Sequence, residues 1–293
     1  MSLFMRRIIV LAAGVVGGLL AWPFAELLLG AQPGFPSYLF FMVTTGSVYG
    51  AFFGLAFGSV DGITAGVGAR KWLGLGTGAA AGLLAGATGV LVGQAVYLAL
   101  GQYLLQRPDA RLAGFVIARG LGWSVTGAVI GAVEGLRLRS GKRAGIGALG
   151  GFVGGLSGGL LVEYGMHVFA DAWWVRPVGT VVLGLLLGAG FAAIERGFLL
   201  GRLALLTGAL RGREYPLPPG RTTIGDSLGD TVTIANYTEV SPRHAVVVGD
   251  RAGLRIERGR GELRVNEEPV DRAELKYDDV IDVGTARFYL KRP

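Results

Sequence analysis

Six long apolar segments constrain this chain more than any other feature of its sequence. A helix needs about 20 apolar residues to cross the roughly 30 Å hydrocarbon layer of a bilayer. Six segments reach this length, at about residues 8–29, 39–60, 72–98, 116–136, 144–166 and 178–200. The sequence therefore predicts an all-α, polytopic membrane bundle of six helices, with both termini on the same side of the bilayer.

Composition separates a second region that follows these segments. The 293 residues are 51% hydrophobic with a mean hydropathy of +0.51, which excludes a single water-soluble globule. Of the 52 glycines, 42 lie in residues 1–205, and the net charge of +7 lies there too, because residues 206–293 carry 14 basic and 14 acidic side chains. We therefore predict a transmembrane domain over 1–205 and a separate domain over 206–293.

The basic residues between the apolar segments predict the orientation of the bundle. Ten of them fall on the side of the termini, and four fall on the opposite side. The ten are Arg6, Arg7, Arg70, Lys71, Arg137, Arg139, Lys142, Arg143, Arg196 and Arg202, and the four are Arg107, Arg111, Arg119 and Arg176. Because cytoplasmic loops are enriched in Lys and Arg, we expect both termini in the cytoplasm, in a bacterial-type inner membrane. The first 25 residues also fit a cleavable signal peptide, but the first segment belongs to an internal repeat, which favours an uncleaved helix.

Glycines recur at every fourth position within the apolar segments. The four series cover 46–66, 74–86, 127–135 and 147–159. Spacing of four places small residues on one helix face, where they allow close packing in lipid. Residues 58–86 also align with 131–159 at an offset of 73, which predicts repeated helical hairpins, three in all with a weaker last copy. We interpret the glycine faces as a glycine zipper, a pore lining being the alternative, and such faces also suit contacts in a homo-oligomer.

Acidic residues are expected at matching cytoplasmic ends of three segments. They are Asp61, Glu134 and Glu195, each close in sequence to an arginine. Interfacial ion pairs are the simpler interpretation, because unpaired charges are costly at membrane depth. A ring of acids that binds a cation or relays protons is the alternative.

A second acidic position recurs toward the opposite side of the bundle. Glu163, matched by Glu26 in the repeat, precedes His167 by one helical turn. This spacing allows a proton-handling pair. The neighbouring Trp173 and Trp174 also fit an ordinary aromatic belt at the membrane interface.

Residue types that are rare or missing exclude several classes of site. The chain has no cysteine and only two histidines, His167 and His244, so thiolate chemistry is excluded and an all-protein zinc site is not expected. No pairing of a nucleophile with a base is evident, so we expect neither an enzyme nor a cofactor. The C-terminal charges alternate in sign without interleaved aromatic residues, which disfavours nucleic acid as a partner.

Short β-type segments replace the long apolar ones after residue 210. They cover about 222–224, 231–234, 245–248, 254–257, 263–265, 280–283 and 287–290, and turn signals such as Pro218-Pro219-Gly220 separate them. So many short strands in so few residues predict a small β-sandwich.

Four motifs in this region resemble one known family. They are TIG at 223–225, DTVTI at 230–234, SPRHA at 241–245 and LKYDDVIDVG at 275–284. In this order and spacing, residues 211–292 resemble the forkhead-associated (FHA) domain. The resemblance implies an eleven-stranded sandwich whose loops at one end bind phosphothreonine peptides.

The resemblance also implies roles for particular residues. Gly225 and His244 would be structural, His244 bracing its loop from inside, while Ser241 would hydrogen-bond the phosphate and Arg243 would add positive charge.

The sequence departs from the family pattern at two places. Asp226 stands where the family has a phosphate-gripping arginine after Gly225. The Asn-Gly pair that holds the peptide is expected near Arg260 and Gly261, and only Asn266 keeps the asparagine of a weaker second signature. Arg260 and Asn266 therefore join the candidate phosphopeptide residues, and Arg243, Arg258 or Arg260 are the candidates for a compensating phosphate contact.

These observations together predict a membrane-anchored adaptor. The FHA-like domain would hold a cytosolic protein at the bilayer surface, through phosphothreonine or through a contact that needs no phosphate. The alternative is a small transporter or channel that the same domain regulates, which the repeat and the matched acids would suit.

Overall fold

The computed structural model describes residues 3–293 except 66–67, 102–105, 108–109, 138–139, 171, 209, 235–236 and 251–252, and except the side chains of 3, 61, 65, 68–70, 134 and 137. Six long helices form the N-terminal part of the described chain. They are α1 (Leu3–Gly30), α2 (Tyr38–Ala65), α3 (Gly68–Ala99), α4 (Arg111–Arg137), α5 (Gly141–Val168) and α6 (Val175–Gly197). By length and composition, each is apolar enough to cross a membrane.

The six helices form a closed ring. Each helix packs against the next along the chain, and α6 returns to pack against α1. Apolar side chains fill the centre, with Phe53 of α2 fully buried among Leu183 and Leu187 of α6 and Ile130 of α4. The many exposed apolar side chains, such as Leu27 and Leu84, lie around the outside of the helices.

Three antiparallel helix pairs within this ring pack through glycine. In each pair, a methyl group added to one glycine would overlap the backbone of the facing helix. The facing pairs include Gly54 with Gly78 and Gly58 with Gly74 in α2/α3, Gly127 with Gly151 and Gly131 with Gly147 in α4/α5, and Gly14 with Gly184 in α1/α6. The contacts in α4/α5 repeat those in α2/α3 at an offset of 73 residues.

The C-terminal part is a sandwich of eleven strands, the number that the FHA resemblance implies. The strands are β1 (Gly201–Leu205), β2 (Glu214–Leu217), β3 (Gly220–Gly225), β4 (Val232–Thr233), β5 (Ala245–Asp250), β6 (Gly253–Arg258), β7 (Leu263–Val265), β8 (Glu268–Pro269), β9 (Arg272–Leu275), β10 (Val280–Val283) and β11 (Ala286–Lys291). One sheet has the order β2-β1-β11-β10-β7-β8 and the other β4-β3-β5-β6-β9. The predicted fold class, a helical bundle followed by an FHA-like sandwich, is confirmed.

Two boundaries differ from the sequence-based ones. The sixth apolar segment was expected to reach residue 200, but α6 ends at Gly197, and β1 begins at Gly201. Strand β1 lies before the expected division at 205, yet it pairs with β11 from Arg202↔Lys291 to Leu205↔Phe288. The physical reason is that Leu203 and Leu205 are fully buried in the core of the sandwich. These apolar residues therefore belong to a β-strand and not to the end of a membrane helix.

One end of the sandwich rests on the helices. Arg143 of α5 donates a hydrogen bond from Nη2 to Thr222 Oγ1 at 3.1 Å. At the same end, the Tyr277 hydroxyl donates to the carbonyl of Leu200, in the link between α6 and β1, at 3.0 Å. We call this the proximal end. Strands β3, β6 and β10 run away from it and β5, β7 and β11 run back toward it, as their antiparallel registers require.

Candidate functional site

Three loops meet at the opposite, distal end of the sandwich. They connect β3 to β4 (226–231), β4 to β5 (234–244) and β6 to β7 (259–262). The register brings them together, because Ile224, next to the last residue of β3, and Arg258 at the end of β6 both lie opposite Ala245 at the start of β5. The distal loops therefore face away from the helices.

His244 ties two of the distal loops together. Its buried ring accepts a hydrogen bond at Nδ1 from the Ser241 amide at 3.3 Å, so Nε2 carries the proton and donates to the carbonyl of Glu262 at 2.7 Å. A Cβ on Gly261 would overlap the imidazole, so glycine makes room for the ring. The structure thus places His244 inside the loops that the resemblance expects it to brace.

Asp230 ties the third loop to the same assembly. Its carboxylate Oδ2 accepts hydrogen bonds from the amides of Ser227 at 3.2 Å and Arg243 at 3.1 Å. Gly225 lies against this carboxylate and against the Arg243 amide so closely that a Cβ would overlap both. Gly225 therefore has a packing role at this junction, and Asp230 is a structural residue whose role the sequence reading missed.

Two arginines start from adjacent backbone at the distal end. The Arg260 amide donates to the carbonyl of Arg243 at 3.3 Å, and both side chains are exposed. Arg243 has φ of +50°, in the left-handed region. Neither guanidinium forms an ion pair with a described residue, and Ser241, half-buried, lies two residues from Arg243. The structure brings Ser241, Arg243 and Arg260 together.

Asp226 adds a carboxylate to the first distal loop. It follows Gly225 in the first distal loop, and its carboxylate Oδ1 is buried with no hydrogen-bond partner among the described residues. A buried acceptor without a donor costs about 1–3 kcal/mol. The distal loops therefore offer two exposed arginines and one hydroxyl, together with the carboxylate of Asp226 at the position after Gly225.

Asn266 lies at the proximal end instead. It follows β7, which runs back from the distal loops, and it lies four residue steps beyond Glu262, roughly 13 Å along the strand. Its side chain donates to Asp279 Oδ1 and accepts from the Val280 amide, both at 2.9 Å. The structure does not bring Asn266 to the other candidate residues, because it clamps the turn before β10.

A second carboxylate acts at the proximal end. The Tyr289 hydroxyl donates to Asp278 Oδ1 at 2.6 Å, and this hydrogen bond is the main cause that raises the pKa of Tyr289. The pair is exposed and lies far from the distal loops.

The acids of the helices occupy three kinds of place. The side chains of Asp61 and Glu134 lie outside the described residues. Glu195 pairs with Arg6 of α1 at 3.1 Å, rather than with its sequence neighbour Arg196. This pair lines a cavity among all six helices, to which Pro218 of the sandwich also contributes.

Glu163 is buried in an ion pair toward the other end of the bundle. Its Oε1 accepts from Arg119 Nε at 3.1 Å and from Trp123 Nε1 at 3.3 Å, and its side chain is 6% exposed. His167 is exposed, and no hydrogen bond joins it to Glu163 in the described part of the chain. The proton-handling pair that the spacing allows is therefore not formed between these two residues, because the Glu163 carboxylate pairs with Arg119 instead.

Comparison with solved structures finds FHA domains over the C-terminal portion. One, studied for phosphothreonine-dependent interactions, is 26% identical and covers 32% of this chain and 96% of its own, with a TM-score of 0.30. The FhaA FHA domain, complexed with the intracellular domain of another protein, is 27% identical; the match covers 31% of this chain and 99% of that domain, with a TM-score of 0.29. The FHA domain of the CT664 protein from Chlamydia trachomatis is 22% identical; the match covers 32% of this chain and 97% of that domain, with a TM-score of 0.29. No protein-family model and no curated protein matches the chain.

Proposed function

We propose that this protein is a membrane-anchored adaptor, in which six helices hold an FHA-like domain at the cytoplasmic face of the inner membrane. The observation that carries the proposal is the orientation of the sandwich. Its proximal end contacts α5 through Arg143 and Thr222, and its distal loops lie at the opposite end. A partner protein can therefore reach the distal loops without meeting the bilayer.

The short connection between the two parts supports this geometry. Only three residues separate the end of α6 at Gly197 from the start of β1 at Gly201. Arg202, near the start of β1, pairs with Glu214 at 3.4 Å, and so short a link would keep this part of the sandwich close to the lipid head groups. The distal loops would stand about one strand length, roughly 20 Å, from the bundle.

The repeated glycine contacts support membrane insertion. Helices in lipid associate through close backbone packing rather than through the hydrophobic effect, and the three glycine-packed pairs have this character. We propose that the 73-residue offset reflects a duplicated hairpin.

We propose further that the distal loops bind phosphothreonine, with Arg243 and Arg260 replacing the missing arginine. A phosphate carries three strong acceptor oxygens, and arginine donates to such groups in a bidentate manner. Ser241 would donate its hydroxyl to the same phosphate. Asp226 would weaken binding, so the affinity is expected to be lower than two arginines alone would give.

Two experiments test the two parts of the proposal separately. To test membrane insertion, membranes containing the full chain are extracted with alkaline carbonate. The protein should stay in the pellet, and its release into the supernatant would contradict membrane insertion.

To test phosphate recognition, the fragment 198–293 is offered a phosphothreonine peptide library and the same library without phosphate. We expect at least tenfold selectivity for phosphate, lost in Arg243→Ala with Arg260→Ala and kept in Asn266→Ala, which changes the proximal end. Equal binding of the two libraries would refute phosphate recognition and leave the anchor intact.

A further inference from the structure

The three glycine-packed helix pairs allow residues to be matched across the bundle by register. The anchor contacts are Gly54 with Gly78, Gly127 with Gly151 and Gly184 with Gly14. In each pair, we take the position eight residues before the first glycine and the position twelve residues after the second. These positions are Gly46 and Val90 in α2/α3, Arg119 and Glu163 in α4/α5, and Arg176 and Glu26 in α6/α1.

Two of the three matched positions hold an ion pair. Arg119 Nε lies 3.1 Å from Glu163 Oε1, and Arg176 Nη1 lies 3.1 Å from Glu26 Oε2. The third holds a glycine and a valine, which carry no charge, and a Cβ on Gly46 would overlap a methyl group of Val90. The approximate threefold pattern is therefore broken at one position.

A cavity of about 160 Å³ lies at the broken position. A water molecule needs only about 10–15 Å³ of cavity volume, so this cavity is larger than one or two water molecules would fill. Its walls are mostly aromatic and glycine, including Phe41, Trp123 and Gly89. Tyr38 at the start of α2 and Phe115 near the start of α4 also line it, so it lies toward the end of the bundle that is remote from the sandwich.

The polar groups of the cavity point to the chemistry of a ligand. Arg119 lines it, and its Nε is committed to Glu163 while neither terminal nitrogen donates a hydrogen bond to a described residue. The Arg119 side chain is 31% exposed, against 51% for the matched Arg176, so its guanidinium is the more desolvated of the two. Thr45 and Tyr49 add hydroxyl groups to the same walls.

We propose that this cavity binds an amphiphile with an apolar body and a carboxylate or phosphate head. The head would accept hydrogen bonds from the terminal nitrogens of Arg119, which a planar guanidinium donates in parallel to such groups. The body would lie between Phe41 and Trp123. A charged residue inside an apolar helix bundle is costly and marks functional positions; here Glu163 balances the charge of Arg119, and the bound head would satisfy the terminal N–H donors that Glu163 leaves unused.

The test uses the full chain in phosphatidylcholine nanodiscs and the probe 8-bromooctanoate, whose bromine quenches a tryptophan that it contacts. We expect saturable quenching that is lost in Trp123→Phe and is absent with the uncharged 8-bromooctanol. Removing the charges together, as Arg119→Gln with Glu163→Gln, leaves no buried charge unpaired and should weaken octanoate binding about ten- to hundredfold, since hydrogen bonds to charged groups are lost.

The bundle supplies its own matched control. Arg176→Gln with Glu26→Gln removes the register-equivalent pair, which does not line the cavity, and should leave the affinity within about twofold. Thermal unfolding of each variant in the same nanodiscs checks that the helices remain folded. Equal quenching by the alcohol, or equal losses in the two double variants at unchanged stability, would overturn the proposal.

A competition distinguishes a lipid from a soluble acid as the source of the head group. If the occupant is a bilayer lipid, adding phosphatidylglycerol to the nanodiscs should reduce octanoate quenching of the wild type. Unchanged quenching would support the site and assign it to a soluble acid.

Discussion

Replacing His244 by alanine should unfold the distal loops and weaken the whole sandwich. The side chain is 1% exposed and makes two hydrogen bonds, at 3.3 Å to the Ser241 amide and at 2.7 Å to the Glu262 carbonyl. Each bond contributes about 1 kcal/mol, and the space left by a buried ring adds roughly 2 kcal/mol. The free energy of unfolding should fall by about 3–5 kcal/mol in total.

Thermal unfolding of the fragment 198–293 measures this loss. The fragment is suitable because the buried apolar cluster of the sandwich lies entirely between Leu203 and Leu290. In a domain of this size, each kcal/mol lowers the Tm by about 4–8 °C, so the Tm should fall by more than about 12 °C. Ser241→Ala is the matched control: the Ser241 hydroxyl makes no hydrogen bond to a described residue, so this variant should unfold within about 2 °C of the wild type. A loss below about 1 kcal/mol in His244→Ala, or an equal loss in the control, would refute the bracing role.

Three further changes test other parts of the structure. Gly78→Leu should destabilise the full chain in detergent by about 1–3 kcal/mol, because a Cβ at this position overlaps the backbone of Gly54. Gly76→Leu, two residues away, faces open space and should not destabilise the chain. Equal Tm values for the two variants would contradict the close packing of α2 and α3. Asn266→Ala removes hydrogen bonds to Asp279 and Val280, so it should lower the free energy of unfolding of the fragment by about 1–2 kcal/mol and leave peptide binding at the distal loops unchanged. A loss of binding at unchanged stability would place Asn266 in the binding site. The chain has no cysteine, so a single introduced cysteine reports which side of the membrane it occupies. Gly34→Cys, in the exposed link between α1 and α2, should react with a membrane-impermeant maleimide in intact spheroplasts, whereas Glu268→Cys should react only after lysis. The reverse pattern would show the opposite topology.

The helices were predictable from sequence because a bilayer demands long apolar runs. The strands were harder, since β1 and the end of α6 share one apolar run, and only pairing of β1 with β11, more than 80 residues away, decides that Leu203 lies in a sheet. Strand β2 contains Pro216 and was not predicted; it is tolerated because β2 is the edge of its sheet. Strand β9, with the sequence RAEL, has no alternating pattern.

The candidate site was predictable where a side chain carries the signal. His244 and Ser241 stand in a recognisable motif, whereas the partner of His244 is the backbone carbonyl of Glu262, which leaves no trace in residue identity. Asn266 was placed among the binding residues because spacing along the chain does not report which end of a sandwich a turn occupies. The pairing of α6 with α1 closes the ring through the two ends of the helical part, so the match of Arg176 to Arg119 required the structure.

Photo-crosslinking in cells tests the central claim most directly. A photoreactive phenylalanine analogue is placed at Pro242, exposed in the distal loops, or at Glu268, exposed at the proximal end, and crosslinked proteins are recovered from the membrane fraction. The adaptor account predicts a cytosolic protein crosslinked from Pro242, lost when Arg243→Ala and Arg260→Ala are added, and absent from Glu268. No crosslinked protein from Pro242, or the same product from both positions, would contradict it.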